Sequence, residues 1–204
     1  MKKQLSYLAL GDSYTIGEAV EQRESFPYQL ADQLRTKGLD IDKPIVIAKT
    51  GWTTSELKSA IEVENLSQRF NFVTLLIGVN NQYRSESSDD YREEFKALLK
   101  TAIEFADHLQ SHVFVISIPD WGVTPFGKDS GRGVSQIAAE IDVFNNINRE
   151  LASELGVNYI DITPESRLAL TDLDLIATDG LHPSGLMYHD WARSVANVAL
   201  EQLT

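Results

Sequence analysis

The sequence has no cysteine among its 204 residues, which excludes disulfide bonds, thiolate metal sites and a thiol nucleophile. It also lacks a basic excess, because 18 lysine and arginine residues stand against 30 acidic ones, for a formal net charge of -12. Binding to nucleic acid or to anionic lipid depends largely on lysine and arginine. Neither is therefore expected as a partner, and the composition gives no indication of an oligomeric state.

Long hydrophobic runs are absent near the N-terminus. The apolar run Leu5 to Leu10 follows Lys2 and Lys3, as in the start of a signal peptide, but it ends at Gly11. A signal peptide needs about 7–15 apolar residues and a membrane helix about 20. We therefore expect a cytoplasmic protein with no stable membrane insertion.

Short apolar runs alternate along the chain with longer amphipathic stretches. Five short runs predict strands: Leu5 to Leu10, Pro44 to Ala48, Phe72 to Ile77, Val113 to Ile118 and Val157 to Ile162. Five longer stretches predict helices: Phe26 to Thr36, Thr54 to Val63, Asp90 to Leu109, Ser135 to Leu155 and Ser184 to Leu203. Such alternation implies parallel strands joined by right-handed crossovers. With no linker to divide it, the chain 1–204 is predicted to form a single α/β domain, a three-layer α/β/α sandwich around a five-stranded parallel sheet.

One stretch, Pro119 to Gly133, has no clear periodicity and contains Trp121, Phe126 and four glycines. It predicts a surface loop, either beside a binding site or as a plain connection.

Marked polar segments follow the predicted strands. Ser13 comes just after the first strand, Gly51 after the second and Asn80 after the third, while Asp179 and His182 precede the last helix. In open α/β sheets, ligands bind beyond the carboxyl ends of the strands, so these segments are expected to converge. Taken singly, each is also typical of a turn or a helix cap. Their joint placement favours a catalytic site.

These residues supply the groups that acyl transfer requires. Ser13 is the candidate nucleophile, His182 the general base, and Asp179 the carboxylate that orients the imidazole. The backbone N–H groups of Ser13 and Gly51, with the Asn80 amide, are the candidate oxyanion hole. This chemistry uses the protein's own groups, so neither a cofactor nor a metal ion is expected.

The segments resemble the conserved blocks of a known family. Gly11-Asp12-Ser13-Tyr14, Gly51, Gly78-Val79-Asn80-Asn81 and Asp179-Gly180-Leu181-His182-Pro183 are similar to the four blocks of the GDSL-type, or SGNH, hydrolases. The resemblance spans nearly the whole chain. It implies a flavodoxin-like fold and esterase or lipase activity, with Ser13 as nucleophile, Gly51 and Asn80 in the oxyanion hole, and Asp179 and His182 completing a catalytic triad.

Two positions depart from the family pattern. Tyr14 replaces the leucine of the name motif, and Asn81 stands where aspartate is often found. Neither change removes a catalytic atom. The short chain looks closest to the small-esterase branch, which includes lysophospholipase-like and acyl-thioesterase enzymes.

The predicted substrate is a small or single-chain carboxylic ester, cleaved through an acyl-enzyme. Four aromatic residues are candidates for the substrate-binding walls: Trp52, Tyr83, Trp121 and Phe126. A carbohydrate O-deacetylase is an alternative activity. A catalytically silent carbohydrate- or lipid-binding module of the same fold is an alternative from another class.

Other constellations are weaker. His108 and His112 have the spacing of zinc ligands on one helix, but no third ligand accompanies them. Asp172 and Asp174 could suggest paired carboxylates of a glycosidase, although solvated charge explains them better. The chain also has no P-loop lysine and no Gly-x-Ser-x-Gly elbow.

Overall fold

The computed structural model describes residues 4–204 and contains one five-stranded sheet. All neighbouring strands are parallel, in the order β2-β1-β3-β4-β5. The strands are β1 Tyr7–Gly11, β2 Ile45–Ala48, β3 Phe72–Leu76, β4 Val113–Ile116 and β5 Asn158–Ile160. Every residue of β1, β3 and β4 is buried, because helices cover both faces of the sheet.

The helices lie in two layers, and all but α8 and α9, which follow β5, lie between successive strands. They are α1 Ser13–Ile16, α2 Phe26–Thr36, α3 Thr54–Glu64, α4 Val79–Tyr83, α5 Ser88–Phe105, α6 Pro125–Asp129, α7 Val134–Leu155, α8 Thr163–Arg167 and α9 Gly185–Leu203. Helix α2 packs against α9 on one face, and α5 packs against α3 and α7 on the other. The predicted α/β/α sandwich is confirmed.

All five predicted strands and all five predicted helices are present; α2 has the predicted ends, and the other elements have shifted ends. The largest shift concerns α5, which ends at Phe105 and not at Leu109. Asp107 and His108 adopt left-handed backbone angles, with φ of 55° and 62°, and a helix cannot continue through them. His108 and His112 therefore do not share a helix face.

The prediction of a surface loop at 119–133 needs correction, because the first part of this stretch is buried and it contains secondary structure. Of the two alternatives, the plain connection is wrong, since Trp121 and Phe126 line a cleft. Residues Trp121–Val123 form a buried 3-10 turn, and α6 follows it directly. Thr124 caps α6 by accepting a hydrogen bond from the Gly127 N–H at 3.0 Å. Both elements are too short to produce a periodic pattern in the sequence.

The N-terminal lysines Lys2 and Lys3 lie outside the described residues. The apolar run that follows them contributes to β1, in the middle of the core. Within residues 4–204, no helix is long and apolar enough to cross a bilayer.

Candidate active site

Ser13 lies where β1 ends, as the first residue of α1, and only 4% of it is exposed. The preceding Asp12 caps this helix, because its Oδ1 accepts a hydrogen bond from the Tyr14 N–H at 3.0 Å. Gly11 leaves no room for a side chain, since a Cβ there would overlap Thr15 Oγ1 and the Leu76 carbonyl oxygen. This close approach allows the chain to turn directly from strand to helix at Ser13.

His182 is held by Asp179 in a tight turn before α9. Its Nδ1 lies 2.6 Å from Asp179 Oδ2, and Asp179 Oδ1 accepts the N–H groups of Leu181 at 2.9 Å and His182 at 3.0 Å. Gly180 has φ of 74°, a left-handed backbone conformation that glycine adopts readily, and this allows the tight turn. Ser184 caps α9, with its Oγ 3.5 Å from the Met187 N–H.

The hydrogen bonds around Asp179 set the direction of the His182 ring. Partial burial tends to raise the pKa of Asp179, but the hydrogen bonds from the His182 ring and the two backbone N–H groups lower it overall. The carboxylate is therefore ionised at neutral pH and can only accept a hydrogen bond. His182 Nδ1 must carry the proton, which leaves Nε2 as the acceptor.

Tyr14, the first departure from the family pattern, packs beside the histidine. Its ring centroid lies 5.2 Å from that of His182 and 6.4 Å from that of Trp191. Tyr14 is 4% exposed, so its ring limits the space into which the imidazole could rotate.

The other candidate oxyanion donors, Gly51 and Asn80, line the same cleft as Ser13, from the turn after β2 and from the first turn of α4. Gly51 occupies a turn closed by a hydrogen bond from the Trp52 N–H to the Lys49 carbonyl oxygen at 3.2 Å, and its φ is 83°. Its own N–H donates to no other group in the described part of the chain. Asn80 Nδ2 donates one hydrogen to the Trp52 carbonyl oxygen at 3.0 Å, which leaves its second hydrogen unused.

Asn81, the second departure from the family pattern, is fully buried. Its hydrogen bonds explain why an amide suits this position. Its Oδ1 accepts the Thr54 N–H at 3.1 Å, while its Nδ2 lies 2.7 Å from both Thr54 Oγ1 and Glu86 Oε2. An amide supplies both an acceptor to Thr54 and a donor to Glu86, whereas an ionised aspartate at this position could not donate to Glu86. Asn81 therefore ties α3 to the segment that follows α4.

A cleft of about 190 Å³ brings most of the predicted site together. Its walls are formed by Ser13, Tyr14, Thr50, Gly51, Val79, Asn80, Tyr83, Trp121, Phe126, Leu181 and His182. Asp179 does not line the cleft but contacts His182 through its Nδ1. Sequence reasoning missed Tyr14, Thr50, Val79 and Leu181, although each adjoins a residue that it had singled out.

Three of the four predicted aromatic residues form one wall of the cleft. The Tyr83 and Trp121 ring centroids are 5.3 Å apart, and Phe126 lies 6.0 Å from Trp121. Tyr83 and Phe126 are 47% and 40% exposed, whereas Trp121 is 2% exposed. The wall therefore has a buried base and an open rim.

Trp52 does not belong to this wall, so its predicted place in the pocket needs correction. It borders a separate groove along α3, together with Glu56 and Val63. The turn directs the Trp52 carbonyl oxygen, and not its side chain, toward the cleft, because this oxygen accepts the hydrogen bond from Asn80 Nδ2.

The buried base of the wall is fixed by polar contacts that the sequence did not indicate. Trp121 Nε1 donates to Gln82 Oε1 at 2.7 Å, and Gln82 Nε2 donates to Glu140 Oε2 at 2.6 Å. Arg132 pairs with Glu140, and its guanidinium lies 5.5 Å from the centre of the Trp121 ring. These contacts hold the indole in one orientation.

Asp12 is a buried carboxyl group immediately before the candidate nucleophile. Burial raises its pKa to about 7, while the hydrogen bond from the Tyr14 N–H works in the opposite direction. The pKa of an aspartate in an unfolded chain is about 3.9. Between these two values the folded protein keeps a proton that the unfolded chain has released, so stability falls as pH rises through this window.

We expect Asp12→Asn to remove this decline. An amide can still accept the Tyr14 N–H but does not ionise, so the variant should gain stability relative to wild type by up to roughly 4 kcal/mol between pH 4 and pH 8. Urea unfolding at several pH values measures this difference. The control is Asp129→Asn, at an exposed position, whose free energy of unfolding should differ from that of wild type by the same amount at every pH. A difference for Asp12→Asn that does not change with pH would contradict the prediction.

No metal site accompanies the cleft, since no group of three or more histidine, aspartate or glutamate residues in the range 4–204 is arranged to hold an ion. His112 Nδ1 instead lies 2.7 Å from the Asn71 carbonyl oxygen. Asp172 accepts the Asp174 N–H at 3.1 Å in an exposed turn.

The parallel sheet, with the order β2-β1-β3-β4-β5, and the cleft beside Ser13 define an α/β protein with a flavodoxin-like arrangement of strands. The model of the GDSL-like lipase/acylhydrolase family matches residues 9–189. The chain belongs to this family and is a carboxylic ester hydrolase. Its sequence has no significant match among the curated proteins.

Solved structures with the same fold cover nearly the whole chain. One is TesA, with 14% identity, a TM-score of 0.74 and coverage of 98% of this chain and 99% of TesA. Another is Axe2, an acetylxylan esterase from Geobacillus stearothermophilus, with 17% identity, a TM-score of 0.74 and coverage of 96% and 94%. A third is the lipase/acylhydrolase from Enterococcus faecalis, with 18% identity, a TM-score of 0.73 and coverage of 97% and 94%. At these identities the likeness concerns the fold.

Proposed function

We propose that the protein is a serine hydrolase that cleaves esters of small or single-chain acyl groups through an acyl-enzyme. The observation that carries this proposal is the 2.6 Å contact between His182 Nδ1 and Asp179 Oδ2, with Ser13 and His182 on the same cleft. This contact leaves Nε2 of the imidazole free to accept a proton. On this proposal the three side chains supply the nucleophile, the base and the orienting carboxylate.

In the acylation step, Ser13 Oγ attacks the ester carbonyl carbon and its proton passes to His182 Nε2. The N–H groups of Ser13 and Gly51 and the free hydrogen of Asn80 Nδ2 stabilise the oxyanion. The bond to the alcohol oxygen then breaks, and His182 returns the proton to the leaving alcohol. Ser13 is left as an ester of the acyl group.

In the deacylation step, His182 Nε2 takes a proton from water, and the resulting hydroxide attacks the same carbonyl carbon. The oxyanion that forms again accepts hydrogen bonds from the same three donors. The bond between the acyl group and Ser13 Oγ breaks, and the proton on His182 passes back to Ser13. The carboxylic acid leaves and the free enzyme is restored.

The cleft favours a short or single acyl chain. Its volume of about 190 Å³ is small, and the apolar surfaces of Val79, Trp121 and Leu181 suit a hydrocarbon group. The open rim at Tyr83 and Phe126 leaves room for the alcohol or for the end of a longer single chain, as in a lysophospholipid.

Cytoplasmic location stays a prediction from the sequence.

Two measurements test the proposal. A fluorophosphonate should label the wild-type protein at Ser13, located by peptide mass spectrometry. In a panel of p-nitrophenyl esters, acetate and butyrate should react faster than hexadecanoate, because a short chain fits inside the cleft whereas the end of the long chain must extend onto the exposed rim. Absence of labelling would instead support a silent binding module, and labelling at another serine would remove Ser13 as the nucleophile.

A carbohydrate O-deacetylase is the second candidate. The exposed rings of Tyr83 and Phe126 flank the cleft, and aromatic rings of this kind give large, rigid contact surfaces. Axe2, which has the same fold, is an acetylxylan esterase. A higher kcat/KM on acetylated xylo-oligosaccharides than on p-nitrophenyl acetate would favour this activity, and the reverse would favour simple esters.

A further inference from the structure

Arg84 follows α4 and contacts the turn that contains Gly51. Its Nη2 donates to the Gly51 carbonyl oxygen at 2.6 Å, and its Nη1 lies 3.2 Å from Glu56 Oε2. The same Glu56 oxygen accepts the Thr53 N–H at 2.8 Å, at the start of α3. One guanidinium group therefore links the turn to the first residues of the helix that follows it.

Arg84 and Asn80 hold two consecutive carbonyl groups. Asn80 Nδ2 donates to the carbonyl oxygen of Trp52, and Arg84 Nη2 donates to that of Gly51. The two side chains are four residues apart, at and just beyond α4, so a single short segment anchors both peptide planes.

The turn needs such an anchor because its central residue is glycine. Gly51 has a φ of 83° and the widest conformational freedom of any residue type. The hydrogen bond from the Trp52 N–H to the Lys49 carbonyl oxygen closes the turn on one side. The bond from Arg84 holds the opposite edge of the same peptide plane, which joins Gly51 to Trp52. The plane next to the one that carries the Gly51 N–H is therefore held from both sides.

We propose that Arg84 is a positioning residue that holds the Gly51 N–H in the oxyanion hole by anchoring the Gly51 carbonyl oxygen. The inference rests on the proposed function, which assigns the Gly51 N–H to the oxyanion. Arg84 itself is not part of the cleft wall. It acts through Gly51 and not through the substrate.

A purely stabilising role does not account for the contact. Arg84 and Glu56 are 45% and 43% exposed, and ion pairs with such exposure contribute little to stability. The bond to the Gly51 carbonyl oxygen is the shorter of the two contacts. Its main consequence is the orientation of the turn.

The test is the hydrolysis of p-nitrophenyl acetate, a small neutral ester, by Arg84→Met. Displacing one of three oxyanion donors should lower kcat by roughly 10- to 100-fold while KM stays within about twofold. Arg84→Lys should recover part of this loss, because an ammonium group can still donate one hydrogen bond. The matched control is Arg92→Met, which removes an arginine that is 37% exposed and pairs with Glu150 at 2.5 Å on a distant surface, and it should keep wild-type kcat.

A second readout reports on the oxyanion hole itself. A trifluoromethyl ketone adds reversibly to a serine Oγ and forms an oxyanion, so its Ki should rise in Arg84→Met by the factor by which kcat/KM falls. A melting temperature close to that of Arg92→Met is also expected.

Several outcomes would overturn the inference. An unchanged kcat in Arg84→Met, a change confined to KM, or a Ki that does not follow kcat/KM would each do so. If Arg84→Met unfolds, Arg84→Lys decides, since wild-type kcat and Ki in that folded variant would show that the two-pronged contact is not needed. Ser13→Ala measured alongside separates the two proposals. Wild-type kcat there ends both, whereas an inactive Ser13→Ala beside a fully active Arg84→Met ends only this one.

Discussion

Ser13→Ala is expected to lower kcat for p-nitrophenyl acetate by roughly 10⁵- to 10⁶-fold, because residues of a catalytic triad act as one unit. The variant loses the only oxygen of that side chain that could form the acyl-enzyme, while its backbone N–H stays in place. The remaining rate should come from the oxyanion donors and from substrate binding. Initial rates at several substrate concentrations, on protein with a wild-type circular dichroism spectrum, give kcat and KM.

The control for this change is Ser59→Ala on α3. Ser59 is exposed and donates only to the Ser55 carbonyl oxygen at 3.0 Å, so its loss should leave kcat unchanged. Both variants should keep the wild-type melting temperature within a few degrees. If Ser13→Ala retained more than a small fraction of the wild-type rate, another group would have to be the nucleophile.

The fold could be predicted where burial is continuous. The interior strands β1, β3 and β4 are buried along their whole length and mostly apolar, since both faces are covered, and short apolar runs identify them directly. The end of α5 could not be predicted, because it depends on left-handed backbone angles at Asp107 and His108. Neither residue type marks a helix end as clearly as glycine does.

The candidate site was predictable for a different reason. Ser13, Gly51 and Asn80 follow strands, and the topology of a parallel sheet brings such positions to one edge. The misplacement of Trp52 has a local cause, since the sequence cannot tell which way a side chain leaves a turn. Arg84 and Gln82 were missed because their partners are distant in sequence and their spacing has no pattern.

A backbone hydrogen bond joins the turn Asp179 to His182 to the aromatic wall of the cleft. The Phe126 N–H, at the start of α6, donates to the Gly180 carbonyl oxygen at 3.0 Å. Gly180 lies in the turn between Asp179 and His182. The wall that would receive the acyl group and the turn that holds the base are therefore one connected unit. Substitutions in the wall or in the turn are therefore expected to affect both the substrate preference and kcat.

Asp179→Asn is the second change with a large expected effect, a fall in kcat of roughly 10⁴-fold. The carboxylate can only accept, and so it keeps the proton of His182 on Nδ1. An amide can present its NH₂ group to Nδ1, which would move the proton to Nε2 and remove the acceptor that Ser13 needs. Its oxygen can still accept the N–H groups of Leu181 and His182, so the turn should keep its shape. Kinetics with p-nitrophenyl acetate measure the loss.

Asp174→Asn is the matched control for this substitution. It also replaces an exposed aspartate before α9, but the Asp174 carboxylate does not contact His182. Wild-type kcat is expected there, because the proton on the imidazole is not affected. If Asp179→Asn lowered kcat no more than Asp174→Asn, the His182 ring would have to be oriented without the carboxylate, and packing against Tyr14 would be the contact left to orient it.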